Sequence, residues 1–292
     1  MIDVLLPFYG DPELLRSAVR SVLVQTSPRW RLVVVDDGYP DKTVAAWFAD
    51  LDDSRVEYHR NDVNLGANGN YRRALGLARA DFVVMMGADD LMHPNFVRVV
   101  EDAVEQVPQA RVVQCGVVVV DGEGHQVKPL VDRIKSVLRP RTDHVIALEG
   151  DHLLRSLLMG NWTYFPSLCW RREVIAQIGF RPQFHVVQDL ALLVDVVAAG
   201  GVMALVPDVA FSYRRHSGSD SAVKTVGGTR FEEERAFFAD AAERLARLGH
   251  PRGARAARLH LTSRLHAAAL LPGALARRQL RDARRLFMHA TR

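Results

Sequence analysis

The feature that most constrains this chain is the alternation in its opening stretch, where short Val- and Leu-rich runs take turns with segments of helical periodicity. Ile2–Leu6, Leu32–Val35 and Val56–Tyr58 are too short for helices and apolar enough for strands covered on both faces. Between them, Pro12–Gln25 sets Leu14, Leu15, Ala18, Val19, Val22 and Leu23 on one face, and Thr43–Leu51 is a second amphipathic helix. The order β-α-β-α-β predicts a parallel sheet with crossover helices.

A fourth run, Phe82–Met86, leads directly into Gly87-Ala88-Asp89-Asp90, and Pro94 opens a predicted helix ending at Gln106. Carboxylates at the C-terminal end of a core strand sit where open α/β sheets bind ligands. Oxygen ligands of this kind suit a hard cation such as Mg²⁺ or Mn²⁺. The same residues also make ordinary caps for the following helix, and both readings stay open. Asp36-Asp37 closes the second strand before Gly38, where turn chemistry is the competing explanation. Asp189 heads an apolar helix, Gln188–Ala199, whose N-terminus favours an ionised carboxylate and equally favours a cap.

The rest of the chain reads less sharply. Asn61–Asn70 is a polar, Gly-rich loop before a helix over Tyr71–Ala80. Ala110–Val120 is a long strand, closed by a tight turn at Asp121–Gly124. Lys128–Glu149 is poorly periodic and predicts a mobile connection. Helices follow over Asp151–Met159 and Arg172–Ile178, with a strand at Ser167–Trp170 and strand pieces at Val202–Val206 and Val209–Tyr213. From Glu232 onward Ala, Leu and Arg recur at helical spacing, with breaks expected at Gly249-His250-Pro251 and Pro272-Gly273.

Composition narrows the setting. Cys115 and Cys169 are far apart without metal-ligand spacing, so free buried thiols in a reducing compartment are expected. The longest apolar region, Leu190–Val206, is interrupted by Asp195 and Gly200-Gly201, so a soluble or peripheral protein is expected. A cytoplasmic location follows, with attachment at the inner face of the membrane as a variant. Beyond Arg244 arginine dominates, which suggests an anionic membrane surface or a homodimer contact through the basic C-terminal helices. No nucleic-acid partner is expected.

Taken together, VLLPFYG, VVVDDG, NLGANGN, GADD, RREVIAQIGF, QDLALL and YRRHSGS carry a resemblance, in order, from Ile2 to about Ser221. The chain resembles the GT-A-fold nucleotide-sugar glycosyltransferases of the large inverting family two. The resemblance implies an α/β fold with a mostly parallel, Rossmann-like central sheet flanked by helices, and a C-terminal helical extension. It implies a transferase domain over 1–225, with a nucleotide-sugar half to about 120 and an acceptor half beyond, and an extension over 226–292. Pro7, Phe8 and Tyr9 would frame the nucleotide base, and Asp36 and Asp37 would cradle the nucleoside. Asn68, in the Gly-rich loop, would pass close to it. Asp89 would hold a divalent cation, Mn²⁺ or Mg²⁺, against the donor diphosphate. Gly87 stands where the family's D-x-D pattern has its first Asp, so the metal-binding pair becomes Asp89 and Asp90. His216 would reach the metal or the diphosphate, and Arg214 and Arg215 would pair with phosphate oxygens.

Asp189 would be the general base that deprotonates an acceptor hydroxyl on a glycan, lipid-linked saccharide or small-molecule glycoside. Gln188 replaces the family's usual Glu beside it. Trp162, Tyr164 and Phe184 either line the acceptor pocket or belong to the core. Two other readings compete: a noncatalytic sugar-nucleotide-binding relative, and a phosphorylatable receiver-like module. The second would need acids after the first strand, where Pro7-Phe8-Tyr9 stand. A dinucleotide-dependent oxidoreductase is disfavoured, because no G-x-G-x-x-G follows that strand.

Overall fold

In the computed structural model, which describes residues 1–215 and 229–291, the expected parallel unit comes first. Strands β1 (Ile2–Phe8), β2 (Trp30–Asp36), β3 (Val56–Arg60) and β4 (Phe82–Met85) alternate with helices α1 (Pro12–Leu23), α2 (Thr43–Ala49) and α3 (Gly66–Gly76). β1 pairs in parallel with β2 on one side and β4 on the other, and β3 extends the sheet beyond β2. Asp11 caps α1 by accepting from the Glu13 amide, Pro12 occupies its first turn, and Leu15, Ala18, Val19 and Val22 are buried.

The second half continues the sheet in mixed sense. Its elements are β5 (Leu91–Met92), α4 (Phe96–Gln106), β6 (Ala110–Val120), α5 (Leu130–Leu138), β7 (Ile146–Leu148), α6 (Gly150–Met159), β8 (Leu168–Arg171), α7 (Arg172–Ile178), α8 (Gln188–Ala198) and β9 (Val202–Arg214). The strand order is β3-β2-β1-β4-β8-β6-β9-β5, with β7 also on β9. β8 runs antiparallel between β4 and β6, β9 is parallel to β6, and β5 and β7 are antiparallel to β9. The parallel character is thus concentrated in the first four strands.

Strand alternation sends Val4, Leu6 and Val34 into one core layer and Leu5, Val33 and Val35 into the other. Helices α9 (Thr229–Arg247) and α10 (Pro251–Leu259) bury Phe237, Phe238, Leu245 and Ala257 in that second layer. Helices α11 (Leu261–Ala276) and α12 (Leu280–Thr291) close a small core of their own around Phe231, Ala267, Ala283 and Leu286. Both cysteines are free and buried.

Several expectations need correction. α3 begins at Gly66, inside the segment read as a loop, because the Leu65 amide and the Asn70 amide group find partners at the ends of β2. Residues 128–149 are not an unstructured connection but contain α5 and β7. α5 escapes the usual pattern because it buries Asp132 while Leu130, Val131, Ile134 and Val137 face outward. β9 is one strand rather than two, with Pro207 and Asp208 bulging over Gly116, where a Cβ would lie 2.8 Å from the Pro207 carbonyl oxygen. α11 runs through Pro272, and the carbonyl that loses its partner belongs to exposed Ala268, where water can replace it.

Candidate functional site

The ends of β1, β2 and β4 share one edge of the sheet, and the acidic residues gather there. Asp37 donates its amide to the Phe8 carbonyl at 2.9 Å. Its Oδ1 accepts from Asn61 Nδ2 at 2.6 Å and from the Leu65 amide at 2.8 Å. Asn61 also donates to Asn70 Oδ1 at 3.1 Å, and Asn70 donates to the Val35 carbonyl at 2.8 Å. The asparagines that made the segment look like a loop therefore act as a chain of fixed amides. Asn61 Oδ1 is buried without a hydrogen-bond partner among the described residues.

Asp36 is fully buried and serves the frame of the site. It accepts from the Tyr39 amide at 2.7 Å, from Arg60 Nη1 at 2.7 Å and from the Tyr58 hydroxyl. Burial, reinforced by Asp36, pushes the Tyr58 hydroxyl up to about 12. Pro7 lies within β1 opposite Val35. Phe8 is buried against Tyr39, with ring centroids 5.1 Å apart, whereas Tyr9 is exposed and meets Tyr39 edge-on at 5.5 Å. Tyr39 thus joins the expected aromatic frame; its one sequence signal was its place directly after the Asp36-Asp37-Gly38 turn.

At the end of β4 the departure at Gly87 has a steric consequence. A Cβ there would lie 2.6 Å from Asp90 Oδ2 and 2.8 Å from Asp89 Oδ1, so both carboxylates fold over the same glycine. Asp90 Oδ1 accepts the Arg214 amide at 2.8 Å. Burial, and then the neighbouring Asp89, raise the Asp90 carboxyl well above the usual carboxylate range. Two carboxylate oxygens converging on a cradle that lacks a side chain fit a hard divalent cation, which would relieve their repulsion. Arg214 Nε donates to the Asp89 carbonyl at 2.7 Å, and its Nη1 donates to the carbonyls of Asp121 and Gly122. It thereby ties this bend to the turn after β6. On that turn the ligand atoms of Asp121, Glu123 and His125 lie within 4.8 Å of one another, and Glu123 and His125 are exposed. His216, the expected third metal contact, lies outside the described residues.

Asp189 sits in the first turn of α8. Its Oδ1 accepts the Leu190 amide at 2.7 Å, and Asn161 Nδ2 approaches Oδ2 at 3.5 Å. Part of its surface is open, yet it is densely surrounded, and that burial raises its carboxyl above the usual range against the pull of Leu190, Lys135 and Arg230. The loop before it is held from two sides. Asn68 Nδ2 meets His185 Nδ1 at 2.7 Å, linking the start of α3 to this loop. On the other side Glu233 Oε1 of α9 accepts the amides of His185, Val186 and Val187 at 2.8, 2.5 and 2.8 Å. Arg181, Asp195, Asp240 and Arg244 add an ion network between the loop, α8 and α9. Glu233 has no local sequence signal, since its partners lie 46 or more positions away.

Arg215 is engaged: Nε and Nη2 grip Asp132 at 2.6 and 2.9 Å, and the Tyr164 hydroxyl donates to the same carboxylate at 2.9 Å. Beside this group lies a cavity of about 250 Å³, lined in part by Lys135, Arg139, Trp162 and Tyr164. Trp162 and Phe184 both belong to the buried core, Phe184 packing against Phe237.

A family model for glycosyl transferase family 2 matches residues 3–168. The chain is similar to the succinoglycan biosynthesis protein ExoO of Rhizobium meliloti (strain 1021), at 28% identity over 217 residues. That match covers 74% of this chain and 61% of ExoO. It is also similar to the UDP-Glc:alpha-D-GlcNAc-diphosphoundecaprenol beta-1,3-glucosyltransferase WfgD of Escherichia coli, at 30% identity over 95 residues, covering 32% of this chain and 37% of WfgD. The chain thus spans less than two thirds of either relative. Among solved structures, S. aureus TarS 1–349 in complex with UDP-GlcNAc superposes with a TM-score of 0.64 at 16% identity, covering 82% of this chain and 66% of that one. That likeness shows the GT-A arrangement of sheet and helices expected from the sequence. With more than half of its length inside the family match, the chain belongs to glycosyl transferase family 2.

Proposed function

We propose that the protein is an inverting glycosyltransferase that moves a sugar from a nucleotide-diphosphate sugar to an acceptor hydroxyl in a single displacement. The observation that carries this reading is the pair of carboxylates folded over Gly87 at the end of β4, on the same sheet edge as Asp37. Phe8, Tyr9 and Tyr39 frame the base, and Asp37, held by Asn61 and Leu65, accepts from the nucleoside. Asp89 and Asp90 would hold a divalent cation, Mn²⁺ or Mg²⁺, which would offset the charge that gathers on the departing diphosphate. Asp189 takes the proton of the attacking hydroxyl, and its raised carboxyl makes it a stronger base than an exposed aspartate. Arg215, fastened to Asp132, orders the wall beside the acceptor.

No helix among the described residues is long and apolar enough to cross a membrane. Peripheral attachment is supported by α11, which exposes Leu261, Leu265 and Leu275 along one side. From Gly249 to Thr291 nine arginines stand against one acid, Asp282. That positive balance suits an anionic bilayer surface as partner.

Asp189→Asn tests the reading. Turnover should fall by roughly 10²–10⁴-fold while nucleotide diphosphate still binds; near wild-type turnover of folded protein would refute the base. Mn²⁺ should tighten nucleotide diphosphate binding, and Asp89→Ala should abolish that coupling.

A further inference from the structure

We propose that the cavity beside Asp189 receives the acceptor by an anionic group, a phosphoryl or a carboxylate carried near the reacting hydroxyl. The inference rests on the transferase reading above and adds the chemical class of the acceptor. The cavity, about 250 Å³, lies between β6 and α5, with room for far more than one ordered water. Val117, Val119 and Trp162 supply apolar wall, while Lys128, Arg133, Lys135 and Arg139 bring four cations to its lining. Among the described residues the only acid in that lining is Asp132, and its carboxylate is already gripped by Arg215 and by the Tyr164 hydroxyl.

No carboxylate among the described residues contacts either of the two inner cations. Lys135 donates to the Thr163 carbonyl at 2.7 Å and lies 4.4 Å from the centre of the Tyr164 ring. Arg139 donates to the Val206 carbonyl at 2.6 Å. Neither forms an ion pair within 4 Å among the described residues. Both side chains are half-buried but closely surrounded, and charge drawn partly out of water is costly unless it is paired. Burial pulls the Lys135 amine down to about 8, although Asp189 and Asp132 act against it and Arg215 and Arg230 with it. Burial also lowers the Arg139 guanidinium. An oxyanion between them would supply the missing partner, through charge-assisted hydrogen bonds in surroundings that screen them poorly.

The position suits an acceptor. Asn161 approaches Asp189, and Trp162 and Tyr164, just after it in the chain, line the cavity. Asp189 is also near enough to act on the charge of Lys135, so a molecule anchored here by its charged end would stand next to the proposed base.

The test is a thermal-shift and calorimetric titration of the full chain with inorganic phosphate and with acetate, against chloride at matched ionic strength. Phosphate or acetate should bind where chloride does not, and Lys135→Gln should weaken that binding at least tenfold. The preferred anion assigns the group: tighter phosphate means a phosphoryl, tighter acetate a carboxylate. If Lys135→Gln does not fold, Lys128→Glu with Arg133→Glu on the exposed rim should weaken anion binding several-fold. Anion binding unchanged by these variants, or no binding beyond chloride, would overturn the proposal. Nucleotide diphosphate is titrated in parallel: if it binds while the anions do not, only this inference fails; if it does not bind either, the transferase reading fails as well.

Discussion

Glu233 offers the most direct perturbation, because one carboxylate oxygen receives three consecutive amides of the loop before Asp189. Replacing it with alanine leaves those donors without their acceptor. His185 is exposed and its amide can turn to water, but Val187 is buried. A hydrogen bond to a charged group contributes about 1.5–3 kcal/mol, and the Val187 amide loses that outright. Local opening should then become roughly ten- to hundred-fold more frequent, since about 1.4 kcal/mol is tenfold. Native-state hydrogen exchange resolved to single residues reads this at Val186 and Val187, while core amides such as those of β1 stay unchanged. Glu233→Gln keeps an acceptor without the charge and should fall between. Transfer assays should show the same order, with turnover falling more than donor affinity. Unchanged exchange at Val187 in Glu233→Ala would refute the idea that α9 holds the loop before Asp189.

Gly87→Ala should leave the fold intact, because the clashing atoms are side-chain oxygens, at a cost of about 1–3 kcal/mol. It should nevertheless remove the Mn²⁺-dependent part of nucleotide diphosphate binding in calorimetry; retained coupling would argue against the cradle. The acid limb of kcat/KM should lie above the ordinary aspartate value of 3.8, since burial keeps the proton on Asp189 to higher pH and only the ionised form accepts one. A limb at or below that value would count against Asp189 as base. Asp3 shows the opposite sign. Burial alone would raise it, but Arg31 and the amides of Ala80 and Arg79 outweigh burial and hold it below 3.8. Its stabilisation is therefore complete above that value and is lost as pH falls through the lowered one. Arg31→Ala, which strands Asp3 in the core, should cost about 3–5 kcal/mol and lower Tm by roughly 6–20 °C in a thermal melt.

Much of the architecture was legible because the first half obeys simple periodicities. Leu5 and Val33 alternate with Leu6 and Val34 across the sheet, and Leu15, Ala18, Val19 and Val22 repeat on α1. The acids Asp37, Asp89 and Asp189 stood out because each follows or opens an apolar run. What stayed hidden depends on contacts between distant parts of the chain. Asn61 and Asn70 look like loop residues until Asp37 and the Val35 carbonyl supply their partners. Asp36 and Arg215 were expected on the donor, yet each is engaged by protein groups, Asp36 by Tyr58 and Arg60, Arg215 by Asp132. Lys135 and Asp132 were unreadable because α5 reverses the usual rule, with ionic groups inward and aliphatic ones outward.

That reversal has a thermodynamic sequel. α5 gains little from leaving water, so a few directional contacts fasten it: the Asp132–Arg215 clasp, the Tyr164 hydroxyl and the lysine on the Thr163 carbonyl. Such fastenings release one at a time, without melting the sheet beneath. Opening the chamber under α5 then means undoing those few polar contacts, the Asp132–Arg215 pair among them.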